Sequence, residues 1–284
     1  MADRLYPYIK TLAHDKSIAV RAVNVQGLLA LLNTHREAAV ALFLEACEGA
    51  EPLWAVQPVE DFLYYATFTH YATLRPLLRK MLSSSENDSR HAAARQVTLA
   101  AFNHPEAFPD LEAVLNGDEE CRCAAAEVYS LNVHHEAVRE VCTTRLKTLF
   151  SDASKRVRDF ASNWFRERSG TWTEWQRSLL LDFVGSPAFW DGGSECMMNL
   201  HNTPGALPPE FLKVARRAVD AFEEKIRTDP PHAFGFSYNI AALVVRFYEQ
   251  SKDDLCRREC LDLLDRMLGL GMSEAANEMS KADR

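Results

Sequence analysis

The chain has 284 residues, of which 47% are apolar on a broad count, with 11 glycines and 12 prolines. It is long enough to bury one or two cores, and its low glycine and proline content excludes a collagen-like or linker-rich chain and favours long regular elements. A formal net charge of −8 repels phosphate backbones, so nucleic acid is a disfavoured partner.

The first 20 residues contain five charged side chains, so they lack the apolar segment of a signal peptide. No stretch of the sequence approaches the ~20 apolar residues that cross a bilayer. The seven cysteines lack the spacing of a disulfide framework. These observations predict a cytoplasmic protein without a membrane span.

A short pattern recurs along the first part of the chain, in which a small polar residue precedes an arginine by six positions. The arginines are Arg21, Arg90, Arg122 and Arg158, at intervals of 69, 32 and 36 residues. If one divergent repeat lies between the first two, the mean period is about 34 residues.

Each of these segments continues as an amphipathic helix, with Asp15, Asp88, Asp118 or Asp152 at its expected start. Each segment is accompanied by a second amphipathic stretch. These stretches lie at residues 38–47, 74–82, 108–115 and 138–150. Pro58, followed by the apolar residues 62–68, predicts the helix of the divergent repeat. Each repeat is therefore predicted to be a pair of antiparallel helices.

Helix pairs of this size cannot cover their own apolar faces, so neighbouring pairs stack. We therefore predict an all-α fold, an α-solenoid in which about five helix pairs occupy residues 1–168. Residues 169–284 are predicted to continue the same superhelix as divergent repeats, with helices at 173–184, 208–227, 233–250 and 253–268. A loop or broken helix is predicted at residues 189–209, which contain Gly192, Gly193 and Gly205.

The pattern of Asp, Ser or Asn, then Val-Arg, Ser-Arg or Cys-Arg, then an alanine-rich face, resembles HEAT repeats. The ending Cys-Leu-Asp-Leu-Leu-Asp-Arg-Met-Leu-Gly-Leu-Gly at residues 260–271, followed by an acidic stretch, is similar to the C-terminal helical repeats of large bacterial signal-transduction NTPases. Many of those proteins act in antiviral defence. The resemblance implies a HEAT- or armadillo-like superhelix and a role in bacterial defence or signalling.

Motifs for catalysis or metal binding are absent or incomplete. The sequence has no Gly-rich phosphate loop. In the nearest approach to a zinc-protease motif, His135-Glu136, arginine stands where the second histidine ligand belongs. Cys121 and Cys123 are two residues apart on a predicted helix, a spacing that separates their thiols. No enzymatic activity, cofactor or metal is expected.

Two sets of residues are candidates for partner binding. The recurring arginines either hold the repeats together, the interpretation we favour, or form a stripe that binds carboxylates or phosphates. Four of the five tryptophans lie between residues 164 and 190; they either pack in the core, again the favoured interpretation, or anchor a protein partner. If these residues bind a partner, the candidates are Arg158, Trp164, Trp172, Trp175 and Trp190.

The sequence favours a non-enzymatic protein–protein interaction module, a scaffold or sensor in a bacterial signalling or antiviral defence system. Its expected partner is a protein, such as a defence or signalling NTPase or a protease. A free-standing chain is expected to act as an adaptor, inhibitor or protease target. The alternative is a HEAT-like enzyme acting on nucleic acid, such as a DNA glycosylase, which would need a basic groove around an everted base.

Overall fold

The computed structural model describes residues 2–165, 172–228 and 240–272, together with residues 275 and 277. These residues form helices and connecting turns without a β-strand, which confirms the predicted all-α class. Short 3-10 segments lie at Glu51–Leu53, Pro105–Ala107 and Ser162–Phe165. The α-helices are α1 (Ala2–Ala13), α2 (Ile18–Leu31), α3 (Arg36–Cys47), α4 (Gln57–Leu82), α5 (Asn87–Ala100), α6 (Phe108–Leu115), α7 (Glu119–Asn132), α8 (Arg139–Leu149), α9 (Lys155–Ala161), α10 (Glu174–Val184), α11 (Ala188–His201), α12 (Phe211–Thr228), α13 (Ile240–Gln250) and α14 (Asp254–Gly269).

The chain divides into two compact units, Met1–Val128 and Tyr129–Arg284, and the division falls within α7. In the first unit each helix from α1 to α6 contacts the next one along the chain, and in the second unit α8 contacts α9 and α13 contacts α14. The predicted boundary at residues 168 and 169 lies within the second unit, among residues that are not described. That boundary and the stacking of the pairs into a solenoid stay predictions.

The recurring polar residue builds the same turn before α2, α5 and α9. The side chains of Asp15, Ser84 and Asp152 accept hydrogen bonds from the backbone N–H two residues later, at 2.8, 3.1 and 2.7 Å. Their carbonyl oxygens accept a hydrogen bond from the arginine six positions later, at 2.7 Å in each case. The sequence repeat therefore encodes a closed turn at the entry to a helix.

The segment before α7 uses a variant of this turn. Asp118 Oδ1 accepts a hydrogen bond from the backbone N–H of Cys121 at 3.0 Å, which caps the helix directly. Arg122 Nη1 donates to the carbonyl oxygen of Gly117 at 2.7 Å. The arginine therefore still closes the turn, but on a carbonyl five positions back.

The divergent second repeat differs from the prediction. The two predicted helices, after Pro58 and at 74–82, are one 26-residue helix, α4, with a kink at His70. His70 has φ −127° and ψ 30°, outside the helical region. The residues between the predicted helices contain neither glycine nor a turn sequence, so the chain continues in a bent helix instead of reversing.

The predicted loop at 189–209 is also different, because residues 188–201 form helix α11 and only residues 202–210 form a connection. A Cβ atom on Gly192 would lie 2.8 Å from Ser162 Cβ. Gly192 therefore permits a close approach of α11 to the end of α9. The prediction failed because tertiary packing outweighs the low helix propensity of glycine here.

Each unit has a buried core made largely of the predicted apolar faces. In the first unit the rings of Phe43 and Phe62 stack with centroids 4.1 Å apart. Residues 92–94 and 124–126 are alanines without exposed surface, as expected where helices approach closely. In the second unit the core is aromatic and includes Phe183 and Phe189.

The sequence predicts that helix α13 begins at residue 233, but residues 233–239 lie outside the described part.

Candidate functional site

Arg158 is engaged within the protein. Besides closing the turn at Asp152, its Nε donates to Asp191 Oδ2 at 2.7 Å, and the two side chains are only 16% and 13% exposed. Arg90 makes the equivalent contact with Asp118, 2.6 Å from Nε to Oδ2. In both places the arginine joins its own turn to an acidic residue about 30 positions later. These contacts agree with the structural interpretation of the arginines and leave Arg158 little surface for a partner.

Trp164 lies in the core of the second unit and has no exposed surface. Its ring packs edge to face against Phe165, Trp172 and Phe183, with centroids 5.7, 6.5 and 6.5 Å away. A ring enclosed in this way cannot anchor a partner unless the unit opens. The burial agrees with the favoured core interpretation of Trp164, and partner binding by this residue stays a prediction.

The other three tryptophans, Trp172, Trp175 and Trp190, are partly exposed. The guanidinium carbon of Arg139 lies 5.0 Å from the ring centroid of Trp175, and that of Arg217 lies 5.4 Å from Trp190. Both distances are typical of cation–π contacts. Partner binding by these tryptophans stays a prediction, since each is already packed within the second unit.

The most exposed cluster of aromatic side chains lies on α4 in the first unit. Tyr64, Tyr65 and Phe68 are 56%, 59% and 62% exposed, and we call these three residues the aromatic patch. The rings of Tyr64 and Tyr65 meet edge to face with centroids 5.1 Å apart. Three large aromatic side chains exposed together are typical of an interaction surface.

The aromatic patch arises because the first half of α4 is apolar on two faces. Val59, Phe62, Leu63 and Ala66 have no exposed surface and pack into the first unit. The residues of the aromatic patch lie on the opposite face, where a helix at a protein surface normally carries polar side chains. The sequence predicted a helix here without distinguishing its two faces, although an apolar pattern wider than one face was the signal that could have found the patch.

The kink in α4, which follows the aromatic patch, is held by side chains from the neighbouring helices. His104 Nε2 lies 2.8 Å from the carbonyl oxygen of Phe68. Arg36 Nη1 donates to Thr69 Oγ1 at 2.7 Å, and His70 Nε2 pairs with Glu37 Oε1 at 3.0 Å. The backbone beside the aromatic patch is therefore fixed in position.

A buried carboxylate joins the second half of α4 to α6. Asp110, with a side chain 6% exposed, accepts hydrogen bonds from Tyr71 Oη at 2.6 Å, Arg75 Nε at 2.6 Å and Arg79 Nε at 2.7 Å. Burial opposes ionisation of this carboxyl, but the three hydrogen bonds outweigh it and lower the pKa of Asp110. Asp110 is thus ionised, and it neutralises one of the two arginines.

A second charged cluster connects α5 with α7. His91 lies between two carboxylates, with Nδ1 2.7 Å from Glu120 and Nε2 3.0 Å from Glu127. Arg95 bridges Glu127 and Glu60 of α4, at 3.4 and 3.2 Å. Burial disfavours the charged imidazole, but its hydrogen bonds to the two glutamates prevail and raise the pKa of His91. Every ionic group in this cluster has a partner, which indicates a role in holding the helices together.

The cysteines show no arrangement for chemistry. All seven are free thiols, and all except the partly exposed Cys256 are buried. Burial raises the pKa of Cys121 to about 12, so its thiol stays protonated and unreactive at neutral pH. Within the described ranges, no three His, Cys, Asp or Glu side chains are placed to hold a metal ion.

A further apolar surface lies between α1 and α2. An open cavity of about 600 Å³ is lined there by apolar side chains, among them Tyr8, Leu12 and Val23. Nothing in the described residues indicates what fills this cavity. The aromatic patch is the stronger candidate, because arginines on the same helix accompany it.

Comparison with known protein families, with curated proteins and with solved structures finds no match to this chain. As far as the structure describes the chain, none of its helices is both long enough and apolar enough to span a membrane. The candidate site is therefore identified from the geometry of the described residues alone, and the aromatic patch is its centre.

Proposed function

We propose that this protein is a non-enzymatic protein-binding module of stacked helix pairs, and that its partner docks on the aromatic patch. The observation that carries the proposal is the exposure of Tyr64, Tyr65 and Phe68, each more than half exposed on one helix. Aromatic side chains supply much of the energy in protein interfaces. Burial of on the order of 100 Å² per ring would contribute about 2–3 kcal/mol for each residue.

The biological setting of the proposal comes from the sequence. The resemblance to helical repeats of bacterial signal-transduction NTPases supports a scaffold or sensor in a signalling or antiviral defence assembly. A partner NTPase or protease would fit that setting, with this chain as its adaptor, inhibitor or target. The net charge of −8 supports a protein partner over nucleic acid, the ligand of the alternative DNA glycosylase.

Quantitative affinity capture from the source cells tests the proposal. The bait is the tagged wild-type protein or the triple variant Tyr64→Ser, Tyr65→Ser, Phe68→Ser. We expect at least one protein to be captured by the wild type and lost with the triple variant. The matched control is Leu255→Ser, which removes an apolar side chain that is 66% exposed in the second unit and should retain the partner.

Two outcomes would contradict the proposal. One is a set of captured proteins that the triple variant leaves unchanged. The other is tight binding of duplex DNA in a gel-shift assay at ~0.15 M salt, with the steep salt dependence of phosphate contacts. The second outcome would favour the nucleic-acid enzyme.

A further inference from the structure

Arg75 and Arg79 lie one turn apart on α4, and the carboxylate of Asp110 accepts a hydrogen bond from each of them. Each arginine donates only its Nε to the carboxylate, one to each oxygen, at 2.6 and 2.7 Å. Tyr71 donates to the same carboxylate from the buried side. The carboxylate thus fixes the two guanidinium groups side by side.

The outer edges of the two guanidinium groups are open. The Arg75 and Arg79 side chains are 28% and 55% exposed. Their hydrogen bonds to Asp110 come from Nε, and Tyr71 also lies beside the Arg75 guanidinium. Most other arginines of the first unit differ: Arg21, Arg90 and Arg95 use terminal nitrogens on backbone or side-chain acceptors. The pair therefore presents two preorganised forks of N–H donors.

These forks lie on the same helix as the aromatic patch. Tyr65 and Phe68 precede the kink at His70, and Arg75 and Arg79 follow it. A chain of contacts also connects them, since the His104 ring reaches the Phe68 carbonyl and stacks on Tyr71, 5.8 Å between centroids. Both places belong to the 26-residue helix α4, so one partner segment that follows this helix can reach both.

We propose that Arg75 and Arg79 form a carboxylate-binding site, which receives Asp or Glu side chains of the partner segment that covers the aromatic patch. This inference rests on the proposed protein-binding function and names the chemistry of the partner: an acidic segment with apolar anchors. The planar guanidinium edge matches a carboxylate through two parallel hydrogen bonds.

Charge decides between a carboxylate and a phosphate. Asp110 neutralises one arginine, so the site has a net charge of about +1 and suits a singly charged group. A phosphate monoester carries about −1.5 to −2 at neutral pH, which is more than the charge that the site can neutralise. The site therefore fits an acidic peptide better than a phosphorylated one.

The test uses the purified full-length protein and the probe hexaglutamate, with hexaglutamine and inorganic phosphate as the comparison ligands. Isothermal titration at an ionic strength of about 20 mM keeps the charge interactions visible. We expect hexaglutamate to bind wild type, Arg79→Gln to weaken that binding at least about fivefold, and hexaglutamine and phosphate to bind more weakly. The matched control is Lys80→Gln, which removes the same charge from the next, exposed position and should change binding less than about twofold.

A second measurement covers the case in which Arg79→Gln disturbs folding. Titration of wild-type protein with hexaglutamate should shift the side-chain N–H resonances of Arg75 and Arg79 ahead of those of Arg90, whose terminal nitrogens are already bonded. The inference is overturned if hexaglutamate does not bind, if phosphate binds more tightly, or if Lys80→Gln weakens binding as much as Arg79→Gln. The triple variant of the aromatic patch keeps both arginines, so the two proposals can fail independently. Hexaglutamate can fail to bind while a partner is captured, and partner capture can fail while hexaglutamate binds.

Discussion

Arg158 satisfies three acceptors at once, two backbone carbonyls in its own turn and the carboxylate of Asp191 on α11. A planar fork of donors can do this, whereas the single ammonium group of lysine cannot reach the same directions. The side chain therefore ties the start of α9 to α11. This explains why the arginine recurs with its turn at Asp15, Ser84 and Asp152.

Arg158→Gln is expected to lower the free energy of unfolding by about 2–4 kcal/mol, since it breaks a largely buried pair and leaves the Asp191 carboxylate without its cation. Urea unfolding followed by circular dichroism measures the change. Lys213→Gln removes an exposed charge from the same unit and should alter the stability by no more than about 0.5 kcal/mol. Equal effects of the two substitutions would show that the Asp191 pair does not stabilise the fold.

His91 predicts a pH-dependent contribution to stability. The pKa of His91 is raised above its ordinary value of 6.5 in the folded protein, so folding favours the protonated imidazole. This contribution is complete below pH 6.5 and is lost as the pH rises through the raised pKa. The wild type should therefore exceed His91→Gln in stability by more at pH 6 than at pH 9.

Comparison of wild type with His91→Gln at each pH separates the contribution of His91 to stability from that of the other groups in its cluster. These groups are Glu60, Arg95, Glu120 and Glu127. Urea unfolding is again the measurement. The control His14→Gln removes a histidine that is 55% exposed and pairs with Glu45, and its effect should be small at both pH values. A difference for His91→Gln that grows toward pH 9 would contradict the assignment.

At the scale of single elements, α4 separates two apolar faces with different roles. Phe62→Ala, in the buried face, should cost about 3–5 kcal/mol of stability through the cavity that it leaves. The triple variant Tyr64→Ser, Tyr65→Ser, Phe68→Ser should cost less than about 1.5 kcal/mol, because those side chains are already mostly in water. A large loss of stability in the triple variant would mean that the aromatic patch belongs to the core.

Helix α11 depends on its close contact with the end of α9. Gly192→Ala should destabilise the protein by about 1–3 kcal/mol, because the added methyl group meets Ser162 Cβ at 2.8 Å. Gly269→Ala is the matched control at the end of α14, where a Cβ would meet nothing within 4 Å. Thermal unfolding should show a lower melting temperature for Gly192→Ala and not for Gly269→Ala. An unchanged or higher melting temperature for Gly192→Ala would refute the close contact.

Local chemistry made parts of this fold predictable. The turns at Asp15 and Asp152 depend on hydrogen bonds within seven residues of the chain, so the sequence shows them directly. The burial of Trp164 depends on tertiary packing against rings such as that of Phe183 on α10, and sequence alone left its core and surface interpretations open. The same holds for Gly192, which has a low helix propensity and is helical because of what packs against it.

The aromatic patch was overlooked for a related reason. Tyr65 and Phe68 continue the apolar pattern of α4, and a helical pattern does not state which of two apolar faces turns inward. The arginine pair could not be found from spacing either, since its partner Asp110 comes from α6, about 30 residues later. Sequence therefore predicted the class of the fold better than the place of its candidate site.

At the scale of the whole molecule, charge and exposed surface support the same function. The chain carries 40 acidic and 32 basic residues, and a net charge of this sign does not favour long-range attraction to nucleic acid. Among the described residues, ionisable side chains such as Asp110 and His91 are paired within clusters that join helices. The aromatic patch and the guanidinium edges of Arg75 and Arg79 are exposed, and aromatic and arginine side chains are enriched in protein interfaces.

Site-specific photocrosslinking in the source cells tests the central claim most directly. A photoreactive phenylalanine analogue replaces Tyr65 in the aromatic patch or, as the control, Leu255 in the second unit, which is similarly exposed at 66%. We expect the probe at position 65 to give a discrete crosslinked product with one protein, and the probe at position 255 not to give that product. Crosslinks from position 65 to nucleic acid, or the same products from both positions, would contradict it.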